Sequence, residues 1–316
     1  MNFNLPEQAA IRNCFHSMVP ICRQLASPPG KLYNRYMQVI ILYNSHVPMA
    51  EQVGEDIRAW LAAQEIDSCL VSTETADDLQ EALGTFEFLI VLGGDGTTLK
   101  AARLAAPFDL PILGVNMGRV GFLSEAEPDN WQEKIKQVLR NEHWLEKRLM
   151  LQTEVMRQGE KIGTLFALND VVVSRSTQLR MVELHLFVDG DPVTVYMADA
   201  LIAATPTGST AYSLAAGGPV LPPQLQNFLV LPVAPHLSFE QALVLHEKAV
   251  IMVRLETVHD AMVTADGQDA IALQGGDEVL ITRYQHESHF IRLGSPGYFY
   301  RRLMEKLNYW SVKSVQ

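Results

Sequence analysis

The sequence of 316 residues predicts an α/β domain followed by an all-β domain. Up to about residue 147, apolar runs alternate with helical patterns, which is typical of a parallel sheet covered by helices on both faces. From residue 148 onward the pattern changes to one strand after another with turn signals between them. The length also favours two domains, because one domain usually takes roughly 100–200 residues.

The first domain is predicted to be Rossmann-like and to span residues 36–147. A helical pattern follows the first strand at residues 49–64, and a second one, "TLKAARLAA", follows the third strand. Residues 1–35 contain the linker signal "SPPGK" and are interpreted as an N-terminal extension. The apolar runs that predict the parallel strands lie at residues 37–44, 68–72, 86–92 and 111–115.

The second domain is predicted to be β-sandwich-like and to span residues 148–295. Its apolar runs are separated by Asp189-Gly190, Asp266-Gly267 and Gly275-Gly276, which are dipeptides typical of hairpin turns. An amphipathic helical pattern, "FYRRLMEKLNYW", follows near the C-terminus. We therefore expect residues 296–316 to pack back on the N-terminal domain.

Charge and composition argue against several classes of partner. The chain has 25 basic and 36 acidic residues, a net charge of −11, which argues against nucleic acid and anionic membranes. No apolar run approaches the roughly 18 residues that span a bilayer, and the N-terminus lacks a secretory pattern. Three widely spaced cysteines indicate neither disulfides nor a zinc site. We expect a cytoplasmic protein with small-molecule partners.

The first candidate site is the stretch "FLIVLGGDGTTLK" at residues 88–100. It places glycines at the carboxyl end of a parallel strand, where open α/β sheets bind ligands. Neither a Walker A loop nor a G-x-G-x-x-G fingerprint fits its spacing. Asp95 lies among the glycines and could accept a proton from a hydroxyl or hold Mg²⁺, as phosphoryl transfer requires. The alternative is a tight turn in which Asp95 caps the following helix.

The second candidate site is "DALIAATPTGSTAYSLAAGGP" at residues 199–219. Its loop is rich in hydroxyl groups around a central glycine, so it could bind a ribose or a phosphate without adding charge. Tyr212 offers a flat face for a base. The alternative is a serine- and threonine-rich turn that joins a strand to a short helix.

Seven segments occur in the order found in bacterial-type NAD kinases, and residues 37–310 resemble that family. GGDG alone is weak, because phosphofructokinases and lipid kinases of the diacylglycerol type look similar there, whereas the threonine-rich segment is far more specific. The segments are GGDGT (93–97), NMGRVGFLSE (116–125), EKRLML (146–151), LND (168–170), TPTGSTAYSLAAGGP (205–219), PHLSF (235–239) and DGQ (266–268).

The resemblance implies an enzyme, an ATP:NAD⁺ 2′-phosphotransferase that works with Mg²⁺ or another divalent metal. In it, Asp95 would activate the 2′-hydroxyl of the adenosine ribose for attack on the γ-phosphate of ATP. The resemblance also implies a homodimer or homotetramer, and Lys100 and Arg119 are further candidates for phosphate contacts. The implied nucleotide-binding residues are Gly93, Gly94, Gly96 and Thr97 of the GGDGT loop, Phe122 near the adenine, Asn169 and Asp170 at the adenine and ribose, Asp199 near the nicotinamide amide, and Thr207, Thr210, Ala211 and Tyr212 along the dinucleotide.

Three positions depart from the family pattern and keep alternatives open. Asp170 is one methylene shorter than the usual glutamate, Ala215 replaces a common serine, and Ala200 replaces a glycine and would be strained at positive φ. These departures motivate a non-catalytic NAD(H)-binding regulator as one alternative. A GGDG-type lipid kinase is the other, and polyphosphate as donor and NADH as acceptor are also open.

Overall fold

A computed structural model describes residues 37–118, 121–176, 181–236, 239–256 and 260–313. The predicted N-terminal extension and Arg119 lie outside these residues. The described strands are β1 (Gln38–Tyr43), β2 (Asp67–Ser72), β3 (Phe88–Gly93), β4 (Ile112–Asn116), β5 (Trp144–Arg148), β6 (Leu151–Arg157), β7 (Glu160–Ala167), β8 (Asp170–Arg175), β9 (Val182–Val188), β10 (Asp191–Ala198), β11 (Ala200–Ala204), β12 (Asn227–Val233), β13 (Leu243–His246), β14 (Ile251–Leu255), β15 (Ala261–Ala265), β16 (Asp269–Leu273), β17 (Glu278–Arg283) and β18 (Ser288–Arg292).

The described helices are few, and most of them belong to the first half of the chain. No helix in the described ranges has the length and apolar character needed to cross a membrane. The α-helices are α1 (Ala50–Ala63), α2 (Asp95–Ala105), α3 (Trp131–Leu139), α4 (Tyr212–Ala215) and α5 (Tyr298–Lys313), and the 3₁₀ helices are Ala76–Thr85, Ala106–Phe108 and Gly208–Thr210.

The first sheet has the strand order β2-β1-β3-β4-β18-β5, with parallel pairing from β2 through β18. Its central strands are continuous apolar runs because helices cover both faces. Ile57 of α1 and Ile135 of α3 pack on one face, and Leu99 of α2 packs on the other. This arrangement confirms the predicted α/β part of the fold.

Strand β18 joins the first sheet, although the sequence pattern put residues 288–292 in the β-rich domain. It pairs in parallel with β4 and antiparallel with β5. The predicted boundary at residue 295 therefore differs from the strand pairing. Alternation of apolar residues predicts a strand but carries no information about which sheet the strand joins.

The β-rich part consists of two six-stranded sheets that pack face to face, which confirms the β-sandwich-like prediction. Their orders are β10-β9-β14-β17-β6-β7 and β13-β12-β11-β8-β15-β16. Both sheets contribute to one apolar core, for example through Val155 of β6 and Val173 of β8.

Two of the three predicted hairpins are present, and one is wrong. Asp189-Gly190 joins the antiparallel neighbours β9 and β10, and Asp266-Gly267 lies between the antiparallel neighbours β15 and β16. Both dipeptides have positive φ at both residues, as such tight turns require. Gly275-Gly276 instead connects β16 of one sheet to β17 of the other.

Helix α5 makes its described contacts beside the first sheet. The Tyr298 hydroxyl donates to both carboxylate oxygens of Glu146 on β5. Arg302 donates to the Ser124 carbonyl oxygen and to the Glu125 carboxylate. Packing of residues 296–316 on the N-terminal domain, as predicted, would require contacts of this kind.

Candidate active site

The GGDGT loop lies at the carboxyl end of β3, where the strand passes directly into α2. Gly94 is the N-cap of this helix, and no side chain caps it. A β-carbon on Gly93 would overlap with the hydroxyl oxygen of Thr97, whereas one on Gly94 would meet no atom within 4 Å. Thr97 is fixed in turn by Asn44, whose Nδ2 donates to its hydroxyl oxygen over 3.0 Å. The loop is thus packed tightly on one side and open at Gly94.

The Asp95 carboxylate is held by the backbone of the segment that follows β4. The amide of Phe122 donates to Oδ2 over 3.0 Å, and the amide of Leu123 donates to Oδ1 over 3.2 Å. Gly121 lies so close that a β-carbon on it would overlap with Asp95 Oδ1. Asp95 therefore directs its carboxylate toward the segment that follows β4.

Helix α2 is joined to the β-rich part through the DGQ turn. Arg103 donates to Asp266 Oδ2 over 3.0 Å and to Gln268 Oε1 over 2.7 Å. Gln268 Nε2 in turn donates to the Gly96 carbonyl oxygen over 2.8 Å. The carboxylate-bearing loop and the β-rich part are thus in direct contact.

Asp266 holds the backbone of the predicted nucleotide-binding pair, Asn169 and Asp170. Its side chain is fully buried, and its carboxylate accepts from the amides of Asn169 over 2.8 Å and Leu168 over 3.1 Å. Burial raises the pKa of Asp266 above its usual value, and these amides together with Arg103 offset only part of that effect.

Asp170 lies at the start of β8 and is 5% exposed. Burial raises the pKa of its carboxyl to about 7, and the negative charge of Asp266 adds to this rise. The backbone amide of Tyr212 acts in the opposite direction, because it stabilises the carboxylate. Asp170 consequently changes its charge near neutral pH.

A cleft of about 630 Å³ opens beside these residues, on the outer face of the sheet that contains β8 and β11. Five of the predicted nucleotide-binding residues come together in it, and its walls expose polar and apolar surface in similar amounts. The cleft is lined by Asn169, Asp170, Val172, Ser174, Arg175, Ser176, Asp199, Ala200, Ala211, Tyr212, Val233, Thr264, Asp266 and Gly267.

Asp199 is present in the cleft but is already engaged by Arg175. Arg175 Nε lies 2.8 Å from one carboxylate oxygen, and Nη2 donates to the other over 3.2 Å. The sequence reasoning did not find Arg175, because a single arginine at the end of a strand carries no local signal. Ala200 lies in extended strand β11, so its backbone has none of the strain that positive φ would cause.

The threonine-rich loop uses several of its hydroxyls to fix its own backbone. Thr205 donates to the Leu168 carbonyl oxygen over 2.6 Å, Ser209 to the Pro206 carbonyl oxygen over 2.7 Å, and Thr210 to the Thr207 carbonyl oxygen over 3.1 Å. A β-carbon on Gly208 would overlap with the carbonyl oxygen of Asn169. The loop is therefore locked onto the Asn169 turn and leaves the ring of Tyr212, which is 45% exposed, at the cleft.

The remaining predicted residues lie outside the cleft lining. Phe122 belongs to the segment that holds Asp95, and Thr207 is buried with its hydroxyl oxygen 3.1 Å from Arg148. Lys100 donates to the Thr73 carbonyl oxygen and to Asp77, so it is committed to contacts within the first domain.

Comparison with known proteins accounts for this arrangement. The model of the ATP-NAD kinase N-terminal domain matches residues 21–143, and that of the ATP-NAD kinase C-terminal domain matches residues 168–293. The NAD kinase of Chloroflexus aggregans is 37% identical over 270 residues, which are 85% of this chain and 98% of the relative. The chain belongs to the NAD kinase family. It is therefore an enzyme, and the family's activity is NAD phosphorylation.

Other members of the NAD kinase family show the same extent of similarity. The NAD kinase of Treponema denticola is 34% identical over 279 residues, covering 88% of this chain and 98% of the relative. An NAD kinase from Archaeoglobus fulgidus, solved in complex with ATP, has a TM-score of 0.69 and 28% identity over 86% of this chain and 99% of that chain. Yeast NADH kinase, solved with NADH, has a TM-score of 0.76 over 90% of this chain and 93% of that chain, and its 23% identity shows the shared fold.

Proposed function

We propose that Asp95 is the general base of the NAD kinase reaction in this chain. Its carboxylate accepts the proton of the 2′-hydroxyl on the adenosine ribose of NAD⁺, and the hydroxyl oxygen attacks the γ-phosphate of ATP to give NADP⁺ and ADP. The observation that carries this proposal is the position of Asp95, whose carboxylate is fixed by two backbone amides at the glycine-lined end of β3.

The NAD⁺ molecule is proposed to occupy the cleft beside Asp170. Asn169 and Asp170 would hold the adenosine, because amide and carboxylate groups pair with the edge of a base and with ribose hydroxyls. Tyr212 would pack its exposed ring against the dinucleotide. The contact between Gln268 and Gly96 supports this placement, since it brings the DGQ turn beside the loop that carries Asp95.

ATP is proposed to bring a divalent cation, with Asp95 as the protein group nearest to it. Mg²⁺ commonly keeps several waters and binds through one or two carboxylates together with substrate phosphates. In the described part of the chain, no three His, Cys, Asp or Glu side chains form a metal cage. A single carboxylate beside the phosphates fits this donor pattern, and the bound ion would neutralise phosphate charge.

The proposal is tested with purified protein, Mg²⁺, ATP and NAD⁺, measuring NADP⁺ formation beside an Asp95→Asn variant. Loss of a general base lowers kcat by about a hundredfold to ten-thousandfold, so we expect a fall in that range with NAD⁺ binding retained. A variant with wild-type kcat would exclude Asp95 as the base. A wild-type protein that binds NAD⁺ but forms no NADP⁺ would favour the regulator, and phosphorylation of a lipid instead would favour the lipid kinase.

The assembly is proposed to be a homodimer or homotetramer. Strand β10 lies at the edge of its sheet and exposes Val193 and Val195, each 44% exposed, which form an apolar surface that a second copy could cover. Light scattering coupled to size exclusion measures the mass directly, and a monomer at micromolar concentration would contradict this proposal. A cytoplasmic location stays a prediction from the sequence.

A further inference from the structure

Two charged residues of the EKR segment that follows α3, Glu146 and Arg148, are not explained by the cleft, because their side chains are buried in the protein, whereas Lys147 is exposed. Glu146 and Arg148 are 2% and 3% exposed, and both belong to β5. Arg148 donates to Glu146 Oε2 through Nε over 3.0 Å and through Nη2 over 2.8 Å. Buried charges are costly unless they are paired, and here the guanidinium and the carboxylate offset each other.

Two further groups complete the pair. The Tyr298 hydroxyl of α5 accepts from Arg148 Nη2 over 2.7 Å and donates to Glu146 Oε2 over 2.8 Å. Arg292 of β18 donates to the same glutamate oxygen over 2.8 Å. Burial alone would raise the pKa of Glu146, but Arg148 and Arg292 outweigh burial and hold the pKa below its usual value, so the carboxylate is charged.

One guanidinium nitrogen of Arg148 contacts the threonine-rich loop instead of Glu146. Its Nη1 donates to the hydroxyl oxygen of Thr207 over 3.1 Å. Arginine has donors only, so Thr207 acts as the acceptor and its own O–H is directed away from Arg148. Thr207 directly precedes Gly208, which packs on Asn169 at the cleft.

We propose that Arg148 is a positioning residue for NAD⁺ binding, because its bond to Thr207 holds in place the loop that packs on Asn169 at the cleft. Glu146 and Tyr298 hold Arg148 in that orientation. The C-terminal helix thereby contributes to the nucleotide site without lying in it. This inference rests on the assignment of NAD⁺ to the cleft.

The test is a set of steady-state measurements on the full chain, with KM for NAD⁺, kcat and Tm for each variant. Arg148→Lys keeps a positive charge beside Glu146 but lacks the fork that reaches Thr207 at the same time. Thr207→Val removes the hydroxyl and keeps the shape. We expect each to raise KM for NAD⁺ about tenfold, the loss of one hydrogen bond, with kcat within about twofold of wild type. Thr207→Ser should recover KM to within about threefold of wild type.

The double variant decides whether the two residues act together. If Arg148 acts through Thr207, Arg148→Lys combined with Thr207→Val has the KM of Thr207→Val alone. Two effects that multiply to about a hundredfold would overturn the inference, and so would an Arg148→Lys enzyme with wild-type KM. Arg157→Lys is the matched control, because Arg157 forms a similar two-bond pair with Asp277 away from the cleft and should leave KM unchanged.

Tyr298→Phe keeps the inference testable if Arg148→Lys does not fold. It removes only the hydroxyl that holds Arg148, and we expect KM for NAD⁺ to rise about threefold in the wild-type background and not at all in the Thr207→Val background. A wild-type KM, or a fall in kcat that follows a lowered Tm, would overturn the inference. Failure of the proposed function is distinct, since the wild-type enzyme itself would then form no NADP⁺.

Discussion

On the side of the first sheet the candidate site is held by backbone atoms, whereas on the β-rich side it is held by buried charged side chains. Asp95 accepts from two backbone amides, and Gly93 and Gly121 have no room for a β-carbon. On the β-rich side, Asp266 is fully buried and pairs with Arg103. The first side is therefore sensitive to added volume, and the second is sensitive to charge and to pH.

The difference fits the roles proposed for the two sides, which are proton transfer on the first side and recognition of the dinucleotide on the second. A general base must be held rigidly against a reacting hydroxyl, and short backbone contacts provide that precision. A dinucleotide presents hydroxyls and amide groups, and charged or polar side chains recognise these. A substitution that changes only volume should therefore affect the first side, and one that changes only charge should affect the second.

The largest effect is expected from Gly121→Ala. The added methyl group would overlap with Asp95 Oδ1, so the carboxylate must move from its place between the amides of Phe122 and Leu123. Misplacing the base should lower kcat by about a hundredfold or more, as loss of a general base does. Single-turnover measurement with saturating ATP and NAD⁺ gives this rate.

Gly118→Ala is the control for this prediction, because a methyl group at Gly118 meets no atom within 4 Å. It adds the same volume to the same segment without touching Asp95. Equal losses of kcat in both variants would contradict the idea that the overlap with Asp95 is the cause.

A stability effect of intermediate size is expected on the charged side, at Asp170. Its pKa is about 7 in the folded chain and about 3.9 in an unfolded one, so the folded state binds more protons between these values and stability falls as the pH rises. Relative to Asp170→Asn, the wild-type free energy of unfolding should fall by about 2 kcal/mol between pH 5 and pH 7. Urea unfolding of both proteins at the two pH values measures this difference.

The control for Asp170 is Asp191→Asn, which removes an exposed carboxylate at the start of β10, outside the cleft lining. A gap between wild type and Asp170→Asn that is the same at pH 5 and pH 7 would show that burial does not raise this pKa.

The sequence predicted the backbone side well, because its signals are local. Gly93, Gly94 and Asp95 follow an apolar run directly, and that spacing alone places a carboxylate at a strand end. The start of α2 was expected at Thr98 and lies at Asp95. The difference arises because Gly94, although flexible, adopts an extended conformation that can precede a helix.

The charged side could not be predicted in the same way, because its partners are far apart along the chain. Arg103 and Asp266 are separated by 163 residues, and Arg148 and Thr207 by 59. No pattern of spacing connects such pairs, and only the pairing of the sheets brings them together. The same reason explains why the sequence pattern could not place β18 in the first sheet.

The smallest and sharpest effect is expected from Gly94→Ala. The backbone of Gly94 has φ −95° and ψ −171°, which alanine adopts without strain, and a methyl group there would touch no protein atom within 4 Å. Tm should therefore stay within about 1 °C of wild type. If ATP approaches this backbone, as expected for a nucleotide-binding residue of the GGDGT loop, kcat/KM for ATP should nevertheless fall about tenfold, the loss of one close contact.

Gly294→Ala serves as the control, because it also adds a methyl group in open space but lies outside the GGDGT loop. A Gly94→Ala enzyme with unchanged kcat/KM would mean that no ligand comes close to this glycine, and the phosphate would have to lie elsewhere along the loop. A fall in kcat/KM accompanied by a fall in Tm would mean that the methyl group disturbs the protein itself. Only a loss of activity at constant Tm identifies the open space at Gly94 as part of the substrate site.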